Sequence, residues 1–286
     1  MKGATHSARA KLNLSLDVLG AREDGFHELR MVMQSCSLAD DVYVETAGEG
    51  DFLAQTNRSY IPTGDKNVAV KAARAYYEEL GIPGGAHIRI TKRIPVCAGL
   101  GGGSSDAAAV LSVLNELHGG ALNEEQLQAA ALRAGSDVPF CLIGGTALAE
   151  GRGEILNPLP PLPETDVVIC MPHFSCSTPE LFQRIDSRRS RCHPDTAGLI
   201  SALEKGDVPG VAQRMYNVFE DVLDKRAANA VREIKLLLLD HGALGAAMSG
   251  SGSAVFGLFP DEAAARAALL AAKAVCRETF LARTVN

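Results

Sequence analysis

The sequence predicts an α+β fold divided into two domains, and three observations carry that prediction. Strand-like and helix-like segments are mixed without the regular β-α-β-α order of a doubly wound sheet. A stretch with four prolines, Asn157 to Thr165 ("NPLPPLPET"), breaks both helix and sheet and separates residues 1–156 from 157–286. The length, 286 residues, suffices for two ordinary domains.

The elements follow in order. "ARAKLNLSLDVLG" alternates strictly, with Ala10, Leu12, Leu14, Leu16 and Val18 on one side and Lys11, Asn13, Ser15 and Asp17 on the other. That period predicts a half-buried strand whose polar face carries Lys11 beside Asn13. "REDGFHE" reads as a charged turn before more strand. Val68, Ala72, Tyr76 and Leu80 have helical spacing, and Gly81 supplies a stop. "AHIRIT" alternates again and leads into a glycine–serine cluster, after which Val110, Leu111, Leu114 and Leu117 mark a helix. Asn123, followed by Glu124 and Glu125, predicts a capped helix ending near Gly135. "GTALAEG" and "VVICMP" read as strands, and "AANAVREIKLLLLDHG" reads as a helix. A second cluster, "SGSGS", precedes the apolar run "AVFGLF", and an alanine-rich helix and a strand close the chain.

Composition limits the function. A net charge of −6 without a basic block argues against nucleic acid as a partner, while a local group of donors still suits an anionic small molecule. No segment is long and apolar enough to span a membrane. Seven cysteines without a C-x-x-C pair predict reduced thiols in a cytoplasmic protein, with neither a zinc site nor a disulfide framework.

The cluster "GLGGGSS", Gly99 to Ser105, has three possible explanations. A flexible linker fits poorly between a strand and a strong helix. A dinucleotide fingerprint fails because the G-x-G-x-x-G spacing from Gly99 ends on Ser104 and that from Gly101 on Asp106. An anion cradle fits better: a helix N-terminus offers unpaired N–H groups, glycines admit phosphate oxygens, and Ser104 and Ser105 add hydroxyls. The cluster holds no lysine, so it is not a Walker loop.

"PVCAGLGGGSSDAA" resembles the phosphate loop of the GHMP kinases. "AKLNLSLDVLGAREDGFHEL", "GSDVPFCLIGGTALAEGRGE" and "MSGSGSAVFGLF" resemble further motifs of that family, in family order over nearly the whole chain. The first and third motifs are similar to those of the branch that phosphorylates the 2-hydroxyl of a cytidine diphosphate-linked methylerythritol in non-mevalonate isoprenoid synthesis. The resemblance implies an N-terminal domain like the second domain of ribosomal protein S5 and a ferredoxin-like C-terminal domain. It also implies ATP as co-substrate with Mg2+ carried on its phosphates, and no protein metal ligands.

By the same resemblance Lys11 and Asp137 are the catalytic pair: an ammonium that offsets developing charge, and a base for the substrate hydroxyl. Their plain alternatives are a solvated lysine and a turn aspartate. Pro95, Gly99, Leu100, Gly101, Gly102, Gly103, Ser104 and Ser105 are assigned to ATP phosphates and Asn67 to adenine, although Asn67 also suits a helix start. Asn13, Phe26, His27, Asp137, Phe182, Gly250, Ser251 and Gly252 are assigned to the substrate, with Phe26 and Phe182 walling the cytosine. Phe26 stands where many relatives have tyrosine, which removes one polar contact. Phe182 equally suits a core position, and Gly250–Gly252 a plain turn. The alternatives at the level of function are another GHMP kinase, of homoserine or mevalonate type, and a non-catalytic nucleotide-binding protein.

Overall fold

The protein is described by a computed structural model that covers residues 2–188 and 192–286. Its chain forms two compact units, each discontinuous in sequence. The first comprises the segment up to Ala10, Ala39–Val96 and Gly101–Ile143; the second comprises Lys11–Leu38, Cys97–Leu100 and Gly144–Asn286. Two long strands, β1 (Gly3–Ala21) and β2 (His27–Ala47), contribute residues to both.

In the first unit, Asp41–Ala47 of β2 pair antiparallel with β4 (Gly85–Thr91), and β3 (Phe52–Thr56) pairs parallel with β4. Three helices cover this sheet: α1 (Val68–Leu80), α2 (Gly102–Leu117) and α3 (Glu124–Ala134). Val42, Val44, Ile88 and Ile90 from the strands meet Ala72, Tyr76, Val110, Leu111 and Leu114 from the helices in one core. Buried alanines at 69, 72, 73, 107 and 108 keep the helices close, because a methyl group fills little space between backbones. The caps fall where the sequence places them. Asn67 accepts from Ala69 N–H, Gly81 takes a left-handed conformation, and Asn123 with Gln126 forms a capping box.

A buried charged cluster joins the end of β4 to the first turn of α2. Lys92 Nζ bonds Asp40 Oδ2 and lies 2.7 Å from Asp106 Oδ2, while Asp40 Oδ1 accepts the Ile94 N–H at 2.8 Å. Two carboxylates thus share one ammonium, and Asp106 Oδ1 is buried with no hydrogen-bond partner among the described residues. Burial raises the Asp106 carboxyl to about 7, against the pull of the Lys92 charge and with the push of Asp40.

In the second unit, Leu29–Gln34 of β2 pair antiparallel with β5 (Thr146–Gly151), which also pairs with β6 (Ile155–Pro158). β1 pairs parallel with the two-residue β8 (Tyr216–Asn217). The remaining strands are β7 (Asp166–Met171), β9 (Gly245–Met248), β10 (Val255–Phe259) and β11 (Glu278–Arg283). They form an antiparallel sheet in the order β11-β7-β10-β9. Helices α8 (Lys225–Asp240) and α9 (Glu262–Ala272) pack on it, giving the β-α-β-β-α-β sequence of a ferredoxin-like layer. Between β7 and α8 lie α5 (Thr178–Asp186), α6 (Thr196–Glu204), α7 (Val208–Gln213) and a 3-10 turn (Val218–Val222).

One expectation is corrected. β1 is not half-buried: Lys11, Asn13, Ser15 and Asp17 on its polar side are at most 4% exposed. Within the second unit Ser249 Oγ accepts the Asn13 N–H, Tyr216 pairs with Ser15 along the strand edge, and the His193 ring lies 2.9 Å from Asp17 Oδ2 on that side. Alternation reported the two faces but not that both are packed.

The charged cluster generates a prediction about pH. Folded Asp106 keeps its proton up to about 7, while the unfolded carboxyl loses it near 3.8, so this group's contribution to stability falls as pH rises through that window. Asp106→Asn removes the surplus acid and leaves Lys92 paired with Asp40. The variant is expected to match the wild type near pH 4 and to gain about 1–3 kcal/mol by pH 8. Thermal unfolding of both proteins from pH 4 to 8 checks this; a pH-independent difference contradicts it.

Candidate active site

The glycine cluster owes its shape to hydrogen bonds made by its carbonyls. Ala98 O accepts from Ala254 N at 3.0 Å, Gly99 O from Ser249 Oγ at 2.9 Å, and Leu100 O from Lys11 N at 3.0 Å. A trans peptide plane sets its N–H opposite its C=O. The amides of Gly99, Leu100 and Gly101 therefore face away from these partners. Gly101 then caps α2 with φ 68°, a left-handed conformation that only glycine adopts at little cost. Gly99 is needed for a second reason: a Cβ there would lie 1.9 Å from the Ser249 carbonyl oxygen.

The two serines separate in role. Ser105 is buried, and its hydroxyl faces Arg9 O at 2.5 Å and Gly101 O at 3.1 Å, so its proton is held by backbone. Ser104 is half-buried and Gly103 exposed, while Pro95 is half-buried ahead of the loop. At Gly102 a Cβ would meet Ile94 at 2.9 Å and the Lys92 ammonium at 3.3 Å, so the first turn of α2 lies directly on the charged cluster.

Lys11 and Asn13 are adjacent, as the alternation predicts, but in a buried setting: Lys11 Nζ donates to Asn13 Oδ1 at 2.6 Å. Asn13 N–H donates to Ser249 Oγ at 3.2 Å, so one hydroxyl connects β1 to the glycine cluster. Gly250 is close by, since a Cβ on it would stand 3.3 Å from Lys11 Nζ. Asn217 Nδ2 holds the Met248 and Gly250 carbonyls at 2.7 and 2.8 Å. Thr178 Oγ1 donates to Ser251 Oγ at 2.7 Å, and Gly252 has φ 85°. The "SGSGS" loop, Lys11, Asn13 and Gly99 thus form one cluster in the second unit.

Asp137 lies in the first unit, half-buried, immediately before the short helix α4 (Val138–Ile143), and its carbonyl accepts from Cys141 N. Asn67, in the same unit, caps α1 with Oδ1 and donates from Nδ2 to Pro62 O at 2.7 Å. Its amide thus serves the chain's own backbone.

The aromatic residues make contacts of their own. The His27 ring stacks on Phe182, centroids 4.3 Å apart and planes 18° apart, with its Nε2 2.9 Å from Asp186 Oδ1. Phe219 meets Phe182 edge-on at 5.1 Å. Phe26, 51% exposed, carries the Arg152 guanidinium over its ring at 4.7 Å. Ring contacts thus join Phe182 to His27 by stacking and to Phe219 edge-on. Phe182 is half-buried on α5, between a core residue and a binding surface.

Two residues escaped the sequence reading. Ser249 is the first residue of the second cluster, "SGSGS", and that membership is its available signal. Asn217 lies in "RMYNVFED", which carries no motif. Among the described residues no three His, Cys, Asp or Glu side chains gather to hold a metal ion.

Comparison with known proteins adds the family. The model for the GHMP kinases N terminal domain matches residues 67–145, and that for the GHMP kinases C terminal matches 199–278. A 4-diphosphocytidyl-2-C-methyl-D-erythritol kinase of Alkaliphilus metalliredigens is 41% identical over 286 residues, covering 100% of this chain and 98% of the relative. A crystal structure of 4-(cytidine 5'-diphospho)-2C-methyl-D-erythritol kinase superposes with a TM-score of 0.82 at 36% identity, covering 99% of this chain and 100% of that one. A homoserine kinase from Cytophaga hutchinsonii, 22% identical with a TM-score of 0.79 over 100% of this chain and 95% of its own, shares the fold. With its full length matched at this identity and both halves of the fold accounted for, the chain belongs to the 4-diphosphocytidyl-2-C-methyl-D-erythritol kinase family of the GHMP kinases.

Proposed function

We infer that this chain transfers the γ-phosphoryl group of ATP to the 2-hydroxyl of 4-diphosphocytidyl-2-C-methyl-D-erythritol. The observation that carries the reading is the loop Ala98–Gly101, whose carbonyls are tied back so that its amides face outward, in a chain of this kinase family. Those amides and the N-terminus of α2 suit the phosphates of ATP, with Ser104 as the added hydroxyl. Mg2+ would arrive with ATP rather than on protein ligands, and would supply neutralisation of charge on the phosphates.

Phosphoryl transfer asks mainly for positioning and charge stabilisation. In our assignment the substrate hydroxyl oxygen forms a bond to the γ-phosphorus as the bond to the ADP oxygen breaks, and Asp137 takes the hydroxyl proton. The Lys11 ammonium, oriented by Asn13, offsets the charge that develops. Gly250, Ser251 and Gly252 receive the substrate's diphosphate, and Phe26, His27 and Phe182 its cytosine. Asn67 serves near adenine through its position at the start of α1. We keep residues 1–156 and 157–286 as the two sequence halves of the kinase, one holding each family match. We place the protein in the cytoplasm, as a member of a metabolic kinase family whose cysteines the sequence reads as reduced. A panel of alcohols tested for ATP-dependent phosphorylation examines the reading: turnover with the cytidylylated methylerythritol well above that with homoserine or mevalonate supports it, and the reverse order removes it.

Three predictions follow the chemistry. Asp137→Asn is expected to fold and bind ATP but to lose roughly 10²–10⁴ in turnover, the scale of a positioned acid or base. Single-turnover kinetics check this, and near-normal rates take Asp137 out of the base role.

Gly101→Val places a β-branched residue at φ 68° and closes the cradle, so ATP affinity is expected to fall beyond measurement while cytidine ligands still bind. Calorimetric titration with each ligand separates the two effects.

Phe182→Ala is expected to weaken cytidine and uridine diphosphates together by about 1–3 kcal/mol, with ATP unaffected, because stacking does not read the base edge. The wild type is expected to prefer cytidine, since an acceptor aimed at the cytosine amino group would face an oxygen in uracil. Equal affinity for the two nucleotides in the same titration contradicts the pocket.

A further inference from the structure

We propose that Arg152 is a positioning residue that fixes the Phe26 ring as the platform for the substrate's base, an inference that rests on the cytidine reading above. Phe26 lies in a turn, 51% exposed, where no core holds an aromatic side chain. Left to itself such a ring samples several rotamers, and a base that stacks on it must first select one. The Arg152 guanidinium, 4.7 Å from the ring centroid, supplies the missing contact.

The backbones of both residues are already held. Arg22 N–H donates to Phe26 O at 2.8 Å, and Phe26 N–H donates to Asp24 Oδ1 at 3.1 Å. Glu28 bridges the two turns, with one carboxylate oxygen on Arg22 and the other accepting Gly151 N–H at 3.1 Å. Glu154 accepts from Arg152 N–H and stands 3.7 Å from Arg152 Nε, which limits where the guanidinium can swing. The turn that follows β5 is thus fastened to the turn that carries Phe26, and Arg152 is its one side chain over the ring. A planar ring has two faces. The guanidinium covers one and leaves the other for a base, in a three-layer stack of Arg152, Phe26 and cytosine.

The chain contains no tryptophan, so Phe26→Trp creates a single fluorescent reporter at the site. In that background Arg152→Ala is expected to raise acrylamide quenching of the indole at least about twofold, because the cation no longer holds one face. In the otherwise unaltered protein Arg152→Ala is expected to raise KM for the cytidylylated substrate roughly 3- to 30-fold, with kcat and the KM for ATP within about twofold. Arg152→Lys, which keeps the charge but loses the planar fork, is expected to fall between. Combining Arg152→Ala with Phe26→Ala should add little to the Phe26→Ala effect, since Arg152 acts through that ring. An unchanged or lower KM for Arg152→Ala, the latter meaning that the guanidinium occupies the base's place, overturns the inference. If Phe26→Ala raises KM and Arg152→Ala does not, the platform stands and only the Arg152 role falls. If Phe26→Ala leaves KM unchanged, the platform falls and the inference with it.

Discussion

Three backbone carbonyls, those of Ala98, Gly99 and Leu100, are held by Ala254 N–H, the Ser249 hydroxyl and Lys11 N–H, and much of the site's chemistry depends on those bonds. Peptide planarity turns this into function: fixing the oxygens fixes the N–H groups on the opposite side. The donors are therefore ordered in advance, so in the proposed reading phosphate binding need not bear the cost of ordering them. The arrangement also explains two glycines separately. Gly99 must let the Ser249 carbonyl approach, and Gly101 must turn left-handed into α2.

The same bonds account for polar groups in places where burial is costly. An unpaired charge or amide away from water is penalised by several kcal/mol. Lys11 and Asn13 meet that cost by bonding each other and by sharing Ser249 with the loop. Lys92 does so with two acids instead of one, and the surplus appears as the raised Asp106 carboxyl. The Ser15 hydroxyl, wholly buried without a partner among the described residues, is the remaining debit on β1.

Local signals in the sequence reported local structure well. Caps at Asn67 and Asn123, the stop at Gly81 and the strand before the glycine cluster were readable because their physics lies within a few residues. The burial of Lys11 was not readable, because it depends on a loop more than 230 residues away that closes over β1. Asn217 was missed for the same reason: its two amide bonds reach carbonyls around residue 250, and nothing near it in sequence marks it. The pairing of His27 with Phe182 was likewise invisible, since aromatic type was evident but partner choice was not. Family resemblance supplied the roles proposed for Lys11 and Asp137, which no periodicity distinguishes from a surface lysine and a turn aspartate.

The discontinuity of the two units bears on how the protein emerges from the ribosome. The first unit has all its residues once Ile143 has been made, and its helices and sheet draw on earlier segments alone. The second unit begins at Lys11 but needs β11, the last strand before the C-terminus, to finish its sheet. Lys11 and its neighbours on β1 are thus synthesised more than 230 residues before the "SGSGS" loop that accepts the Asn13 N–H. Through most of translation the early strand carries a lysine, an asparagine and an aspartate that water still solvates. A nascent chain halted after Ile143 would hold every residue of the first unit, and a glycine loop whose carbonyls have not yet met Ser249 or Ala254.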